Sequence, residues 1–174
     1  KGGKRSDGNG AIMRLAAVPC MHWQNVEKAR SIAIAQSQCT HHSPLSEGCC
    51  DLMTFILCQL ISGKIWEQIL PYPNKNNWLE EVSLLSSCNW RNKSEEEVQS
   101  TGYVIHTLEA DLWCVDTTNS FPDAVLKAVN LGEDADTVGA VTGQIAGARY
   151  GIESIPDAWS VSYTHLRAHE TRIH

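Results

Sequence analysis

Two aspartates separated by one residue, Asp134 and Asp136, have the residue types and the spacing of a cation-binding site. In an extended or turning backbone, side chains two positions apart project to the same side, so both carboxylates can face one point. Thr137 adds a hydroxyl, and oxygen donors of this kind suit a hard cation such as Mg²⁺ or Mn²⁺. The same residues also suit a helix N-terminus, where Asp and Thr oxygens accept backbone N–H groups. On spacing alone, capping is the commoner use of such a pair.

The helix predicted behind this acidic pair is rich in small residues. Gly139, Gly143 and Gly147 lie inside it, and each interior glycine costs roughly 1 kcal/mol relative to alanine. Three of them indicate the close approach of another backbone or of a ligand. The apolar residues between Val138 and Ile145 recur at helical spacing, which is typical of a face packed on the core.

A second stretch with ligand-binding chemistry begins at Ser6. Gly8 and Gly10 let the backbone turn with positive φ and come close to a ligand, and Asn9 offers both donors and acceptors. Exposed N–H groups at the start of the helix that follows are suited to a phosphate. Taken alone, Gly-Asn-Gly is more often a plain turn.

These stretches, with two others between them, resemble the ADP-ribosylglycohydrolase family, which includes the dinitrogenase reductase-activating glycohydrolases and a related jellyfish crystallin. Residues 132–151 match the family's Gly-x-Asp-x-Asp-Thr signature and the small-residue helix that ends in Tyr-Gly. Residues 6–14 resemble its Ser-x-Gly-Asn-Gly-x-x-Met-Arg segment, and residues 40–44 resemble Thr-His-x-x-Pro. Residues 101–110 resemble Gly-Tyr-Val-x-x-Thr-Leu-Glu-Ala. The resemblance ends near Trp159.

The resemblance implies an all-helical fold, two bound metal ions and hydrolysis of the glycosidic bond that links ADP-ribose to a modified protein or small acceptor. Asp134, Asp136 and Thr137 match metal ligands of the family, which implies Mg²⁺ or Mn²⁺ as the cofactor. The acceptor that carries the ADP-ribose is not specified by these residues. It is arginine, serine or a small molecule.

The resemblance also implies ADP-ribose contacts for six residues: Ser6, Gly8, Asn9, Gly10, His41 and Tyr103. His41 is the first histidine of the Thr-His-x-x-Pro element, and His42 occupies a variable place. Tyr103 matches an aromatic residue that packs on the nucleotide in the family. Core packing explains a tyrosine at the start of a helix equally well.

Two parts of the family pattern, the Thr-Asp-Asp metal motif and a catalytic acidic residue, lie upstream of the matched segments and are not in this chain. We therefore expect residues 1–160 to be the C-terminal part of the glycohydrolase domain, inactive by itself. Residues 161–174 show no apolar stripe of helical period and are predicted to be a non-native tail. The alternative is a non-catalytic, crystallin-like or helical interaction protein in which the acidic loop is only a cap.

The composition is that of one globular domain, with 174 residues of which 43% are hydrophobic and 20% charged. A net charge of −6 argues against a nucleic-acid partner, which would need a basic stripe. The longest apolar run, residues 52–61, is too short to span a bilayer. We expect a monomer whose partner is an ADP-ribosylated protein or a small-molecule ADP-ribose conjugate.

The seven cysteines show no Cys-x-x-Cys pairing. Their odd number and apolar neighbours indicate reduced, mostly buried thiols in a cytoplasmic protein. A catalytic cysteine paired with His41 or His106 is the less favoured alternative.

The elements that must position these residues are predicted to be helices, and no run of alternating β-branched residues indicates a strand. Gly63 fits a helix C-terminus, and Ser120 fits an N-cap before Pro122. The predicted spans are 23–38, 46–62, 65–70, 77–86, 102–114, 122–130 and 137–150. The predicted fold class is all-α.

Overall fold

The structure, a computed structural model, describes residues 7–72 and 77–159. Within these ranges the chain forms α-helices and short 3₁₀ turns without strands, and an isolated antiparallel bridge joins Gly8 to Tyr103. The all-α prediction is therefore confirmed. Ser6 and the predicted tail at 161–174 lie outside the described residues.

The described helices have the following bounds. They are α1 (Gly10–Met13), α2 (Ala17–His22), α3 (Val26–Gln38), α4 (Pro44–Ile61), α5 (Glu80–Ser86), α6 (Val104–Asp116), α7 (Phe121–Asn130) and α8 (Ala135–Tyr150). Short 3₁₀ turns lie at Trp66–Gln68, Asn89–Asn92, Glu95–Glu97 and Ile152–Ser154. All but one of the predicted helices are present, with their ends displaced by a few residues.

The prediction for residues 65–70 is wrong, because this segment forms a single 3₁₀ turn, Trp66–Gln68. Ile65 has an extended backbone immediately before the turn, and Pro71 disfavours helical backbone in the residue before it. Only one short turn fits between them. The predicted spans also omit α1 and α2, which are too short to show helical periodicity. Helix α1 begins at Gly10, where a helix is expected to follow the glycine turn.

Serine caps and prolines define where α4 and α7 begin. The Ser43 side chain accepts a hydrogen bond from the backbone N–H of Ser46 at the start of α4. Ser120 accepts one from Asp123 at the start of α7, as predicted. At the end of α4, Gly63 takes the left-handed conformation with φ of +87°, which agrees with the predicted helix end.

Helix α4 forms the centre of the core. It packs against helices that precede it in the sequence, chiefly α3, and against helices that follow it, among them α6 and α8. Its side chains Leu52, Met53 and Ile56 are fully buried. It is the helix, among the described residues, that is long and apolar enough to cross a membrane by length and composition. Its mean hydropathy is 1.2 over 18 residues, but 78% of that span is buried inside the protein. Burial of this extent is that of a core helix.

The small residues of α8 face another helix. A Cβ atom on Gly139 would lie 2.7 Å from Cγ1 of Val129, which belongs to α7. Gly143 and Gly147 also face α7. A Cβ atom on Gly143 would lie 4.0 Å from Val125, and one on Gly147 would lie 3.9 Å from Phe121, which are ordinary van der Waals distances. The glycines therefore allow close helix packing, which was one of the two explanations left open by the sequence.

This packing predicts opposite effects for two alanine substitutions in α8. Gly139→Ala is expected to lower the free energy of unfolding by roughly 1–3 kcal/mol, because the new methyl overlaps Val129. Gly143→Ala has space for its methyl group and is expected to stabilise by up to about 1 kcal/mol through helix propensity. Urea unfolding of both variants measures the difference. Equal effects would show that the two glycines share one role.

Candidate active site

Asp134 lies at the N-terminal end of α8, yet its side chain does not cap the helix backbone. One carboxylate oxygen, Oδ1, accepts a hydrogen bond from the Thr137 hydroxyl at 3.0 Å. The other, Oδ2, accepts one from the Asn9 amide at 2.6 Å. A capping aspartate would instead accept from a backbone N–H of the first turn. The capping interpretation is therefore wrong for this side chain.

The loop before Asp134 holds it in place through an unusual backbone conformation. Gly132 and Glu133 both have positive φ, +81° and +48°. Such a conformation costs a non-glycine residue roughly 1–3 kcal/mol and is retained where surrounding contacts impose it. Ser100 makes two of those contacts, since its carbonyl accepts from Asp134 N at 3.1 Å and its hydroxyl donates to the Gly132 carbonyl at 3.1 Å.

Asn9 joins three segments that are far apart in the sequence. It is buried, and its backbone N–H donates to the Gly102 carbonyl at 3.1 Å. Its amide nitrogen donates to the Thr107 hydroxyl at 2.9 Å and to Asp134. Because a carboxylate can only accept, the NH₂ group must face Asp134, which fixes the orientation of the amide. Asn9 is thus a tertiary junction and not only a turn residue.

His41 fills the space beside the two glycines that flank Asn9. A Cβ atom on Gly10 would lie 2.8 Å from the His41 ring, and one on Gly8 would lie 3.4 Å from its Nε2. Neither glycine has positive φ, so that part of the prediction is wrong, whereas the close approach of a ligand stays a prediction. The His41 imidazole packs directly on the backbone of both glycines. The neighbouring His42 is exposed and lies 3.4 Å from Glu47.

Tyr103 immediately precedes α6 and is half-buried at the edge of the core. The edge of its ring contacts the His106 imidazole, with ring centroids 5.0 Å apart. Burial raises the pKa of the Tyr103 hydroxyl, and the nearby Glu81 carboxylate adds to this. The side chain therefore takes part in core packing, as one of the two predicted explanations required. Its contact with a nucleotide stays a prediction.

The structure brings together Asn9, His41, Tyr103 and Asp134 with the glycines between them. Asp136 differs from these residues. It is the second residue of α8, it is exposed, and its carboxylate makes no hydrogen bond or ion pair with any described residue.

The donors at the start of α8 are all oxygens: two carboxylates and the Thr137 hydroxyl, which is 5% exposed. Among the described residues, no three His, Cys, Asp or Glu side chains converge on one point. An oxygen-only set fits Mg²⁺ or Mn²⁺ and not a soft metal. Three donors are fewer than the six that an octahedral cation requires.

Three polar residues that join segments distant in the sequence were not among the predicted site residues. Thr107, Ser100 and Gln144 each bind a distant segment through a hydroxyl or an amide. Gln144 accepts from the Ala16 backbone N–H at 3.0 Å and donates to the Met13 carbonyl at 2.8 Å. The sequence offered one signal for Gln144, because a long polar side chain in a helix of small residues indicates a partner elsewhere in the fold.

Comparison of the chain with models of known protein families identifies the family to which these site residues belong. Residues 1–172 match the family model for ADP-ribosylglycohydrolase. The chain belongs to the ADP-ribosylglycohydrolase family. The segments that carried the resemblance are the ones that meet around Asn9 and Asp134. The boundary predicted at residue 160 lies beyond the last described residue and stays a prediction.

Several relatives of this ADP-ribosylglycohydrolase chain have been named for their reactions. It is 40% identical over 157 residues to an ADP-ribosylarginine hydrolase, Tri1, of Serratia proteamaculans, covering 87% of this chain and 41% of the relative. It is 29% identical over 152 residues to the ADP-ribosyl-dinitrogen reductase glycohydrolase of Rhodospirillum rubrum, covering 87% and 49%. The chain thus spans about half the length of the curated relatives it matches, or less.

A solved structure supports the same family relationship. The chain superposes on an ADP-ribosylglycohydrolase-related protein complex with a TM-score of 0.81 at 31% identity. The superposition covers 91% of this chain and 55% of the other. The helical arrangement described above is therefore that of the ADP-ribosylglycohydrolase fold.

The cysteines of this ADP-ribosylglycohydrolase chain do not form a catalytic pair with either histidine. All seven are free, and five of them are buried, as predicted. Burial raises the pKa of Cys50 and of Cys114 to about 12, so these thiols stay protonated and unreactive. The Nδ1 atoms of His41 and His106 lie 2.8 Å from threonine hydroxyls instead.

A buried carboxyl group lies behind the site, between α6 and α8. Asp111 is fully buried, and the Thr142 hydroxyl donates to its Oδ1 at 2.8 Å. Its Oδ2 has no hydrogen-bond partner. Burial raises the pKa of Asp111 well above its usual value, and the hydrogen bonds from Thr142 oppose this only in part.

Asp111 is therefore expected to make the chain less stable as the pH rises. Above about pH 4 the unfolded chain loses this proton while the folded chain keeps it, so stability falls until the pH passes the raised pKa. The slope is at most about 1.4 kcal/mol per pH unit. Asp111→Asn removes the slope and leaves an oxygen for Thr142. Urea unfolding between pH 4.5 and 8 tests this, with the exposed Asp157→Asn as the control. A parallel decline in wild type and Asp111→Asn would contradict it.

Proposed function

We propose that the protein to which this chain belongs is a metal-dependent hydrolase of the glycosidic bond that links ADP-ribose to a modified protein or small acceptor. The observation that carries this proposal is the hydrogen bond between Asn9 and Asp134, residues 125 positions apart. It joins the predicted ADP-ribose segment to the predicted metal segment. Membership of the family and the names of the relatives support the same reaction class.

The metal ions would be held by the oxygens of Asp134, Asp136 and Thr137, with the remaining ligands coming from outside this chain. When bound, such ions would hold the ribose hydroxyls and orient a water for attack. The chain's own contribution is to fix the carboxylate. Asp134 is held at one oxygen by the Asn9 amide and at the other by the Thr137 hydroxyl. Two such hydrogen bonds restrict rotation of the carboxylate before any ion arrives.

The ADP-ribose would lie along the backbone of Gly8, Asn9 and Gly10. The two amide hydrogens of Asn9 point to Thr107 and Asp134. Its amide oxygen makes no hydrogen bond with a described residue and is not fully buried. That oxygen is available to accept a hydrogen bond from a ribose hydroxyl. The same contacts thus orient Asn9 toward a sugar and Asp134 toward a cation.

Arginine is the acceptor that we propose first, because the relative with 40% identity is named as an ADP-ribosylarginine hydrolase. Reduced, buried thiols support a cytoplasmic location. We propose that the full-length protein acts as a monomer on ADP-ribosylated protein, without a nucleic-acid or membrane partner.

Release of ADP-ribose from an ADP-ribosylarginine peptide by the full-length protein tests the proposal. We expect release with Mg²⁺ or Mn²⁺ and none in excess chelator. ADP-ribosylserine and small-molecule conjugates serve as comparison substrates. Residues 1–174 alone are expected to release none, because three oxygen donors leave most of an octahedral shell to water. Release that is insensitive to chelator would contradict the metal requirement. No release from any of the substrates would favour the crystallin-like alternative.

A further inference from the structure

Arg14, just after α1, binds the backbone of the glycine turn and the end of α3 at the same time. Its Nε donates to Gln36 Oε1 at 2.7 Å, and one terminal nitrogen donates to the Gly10 carbonyl at 3.2 Å. The other terminal nitrogen donates to the Gln36 carbonyl at 3.1 Å and to the Thr40 hydroxyl oxygen at 2.5 Å. None of the functional expectations above uses this arginine.

The contact with Arg14 bears on the hydrogen bond between the Thr40 hydroxyl and His41. A guanidinium only donates hydrogen bonds, so the Thr40 oxygen is the acceptor in that pair. The same oxygen lies 2.8 Å from Nδ1 of His41. Among the contacts of the described residues, Nδ1 is the acceptor that remains for the single hydrogen of the hydroxyl. A Thr40 hydroxyl that accepts from Arg14 and donates to Nδ1 leaves the neutral imidazole with its own hydrogen on Nε2.

The Nε2 side of the His41 ring faces the predicted ligand-binding turn. Nε2 lies 3.1 Å from the position of a Cβ on Gly10 and 3.4 Å from one on Gly8. It makes no hydrogen bond with a described residue and is not fully buried. An N–H group in this position is a free donor directed at whatever occupies the turn.

We propose that Arg14 is a positioning residue that acts through Thr40 to hold His41 in the Nε2–H tautomer. The site then presents a fixed N–H donor to an oxygen acceptor of the ligand beside Gly8 and Gly10. The identity of that ligand as ADP-ribose rests on the proposed function. The tautomer itself is a property of this chain and is measured without ligand.

The test is a long-range ¹H–¹⁵N correlation spectrum of the imidazoles in residues 1–174, recorded near pH 8, where an ordinary imidazole is neutral. His41→Gln identifies the His41 signals. We expect Nδ1 of His41 to resonate as an unprotonated nitrogen and Nε2 as a protonated one. A His41 that carries its hydrogen on Nδ1, or populates both tautomers equally, would overturn the proposal.

Substitutions at both ends of the relay separate positioning from general stability. Arg14→Met is expected to change the tautomer ratio about two- to ten-fold, the equivalent of one hydrogen bond, whereas Arg14→Lys keeps a donor and should change it less. Thr40→Val should have the same effect as Arg14→Met, and Thr40→Ser should retain the wild-type ratio. The threonine pair decides the matter if Arg14→Met does not fold. An unchanged ratio in folded Arg14→Met or Thr40→Val would refute the relay, whatever the full-length protein hydrolyses.

Discussion

Replacing Asp134 with asparagine in the full-length protein is expected to abolish metal-dependent release of ADP-ribose. The carboxylate is the point where the acidic segment meets Asn9, and both of its oxygens are already oriented. An amide carries no negative charge and offers one acceptor oxygen where the carboxylate offers two. Mutating a residue that only hydrogen-bonds to a metal ligand costs roughly 10–100-fold in metal affinity or activity. We therefore expect turnover to fall by at least about 100-fold when the direct ligand itself is replaced.

The measurement combines turnover with Mg²⁺ or Mn²⁺ affinity, both in the full-length protein. Asp136→Asn is expected to have the same effect, although the Asp136 carboxylate is exposed and binds no residue that the structure describes. Glu133→Gln is the matched control, because it removes an adjacent exposed carboxylate that we place outside the metal site. Wild-type turnover in Asp134→Asn and Asp136→Asn would refute the metal assignment. An equal loss in Glu133→Gln would point to the loop conformation instead.

The second large effect is expected for stability, at the buried ion pair that joins α3 to α4. Arg30 donates from Nε to Asp51 Oδ1 at 2.5 Å and from a terminal nitrogen to Oδ2 at 2.8 Å. Trp78 also donates to Asp51, and Tyr72 accepts from Arg30. Burial alone would lower the pKa of Arg30, but the hydrogen bonds and charge of Asp51 outweigh it and raise that pKa.

Arg30→Met is therefore expected to destabilise the chain by about 3–5 kcal/mol, because it removes the arginine that makes two hydrogen bonds to a buried carboxylate. A single domain is stable by only about 5–15 kcal/mol, so this loss is a large share. Replacing both partners, Arg30→Met with Asp51→Leu, should cost less than the single change. Thermal and urea unfolding provide the comparison.

A partly exposed ion pair provides the control for this prediction. Arg91 lies 3.2 Å from Asp116, with side-chain exposures of 32% and 20%. Solvent screens such a pair, so Arg91→Met is expected to cost no more than about 1 kcal/mol. If Arg30→Met and Arg91→Met lowered the free energy of unfolding by the same small amount, the prediction that burial makes the Arg30–Asp51 pair important for stability would be wrong.

The sequence by itself determined the helices that have a long apolar period or a strong boundary signal. Ser43 with Pro44, and Ser120 with Pro122, begin helices where local chemistry requires it, because capping and proline geometry act over only a few residues. The two shortest helices and the 3₁₀ turn at Trp66–Gln68 lacked such signals.

Motif order likewise identified the family, although no single motif did. The tertiary structure alone decided what each polar residue does. Asp134 occupies a helix N-cap position, and only the fold shows that its oxygens bind Asn9 and Thr137 and not the helix backbone. The fold also shows that the glycines of α8 face α7 and that His41 occupies the space beside Gly10. Apart from the local hydrogen bond between Asp134 and Thr137, these contacts join separate segments of the chain, and so they depend on how the core packs. Local preference limits the conformation of each segment, but the partner of a buried polar group is set by which segments the shared core brings together.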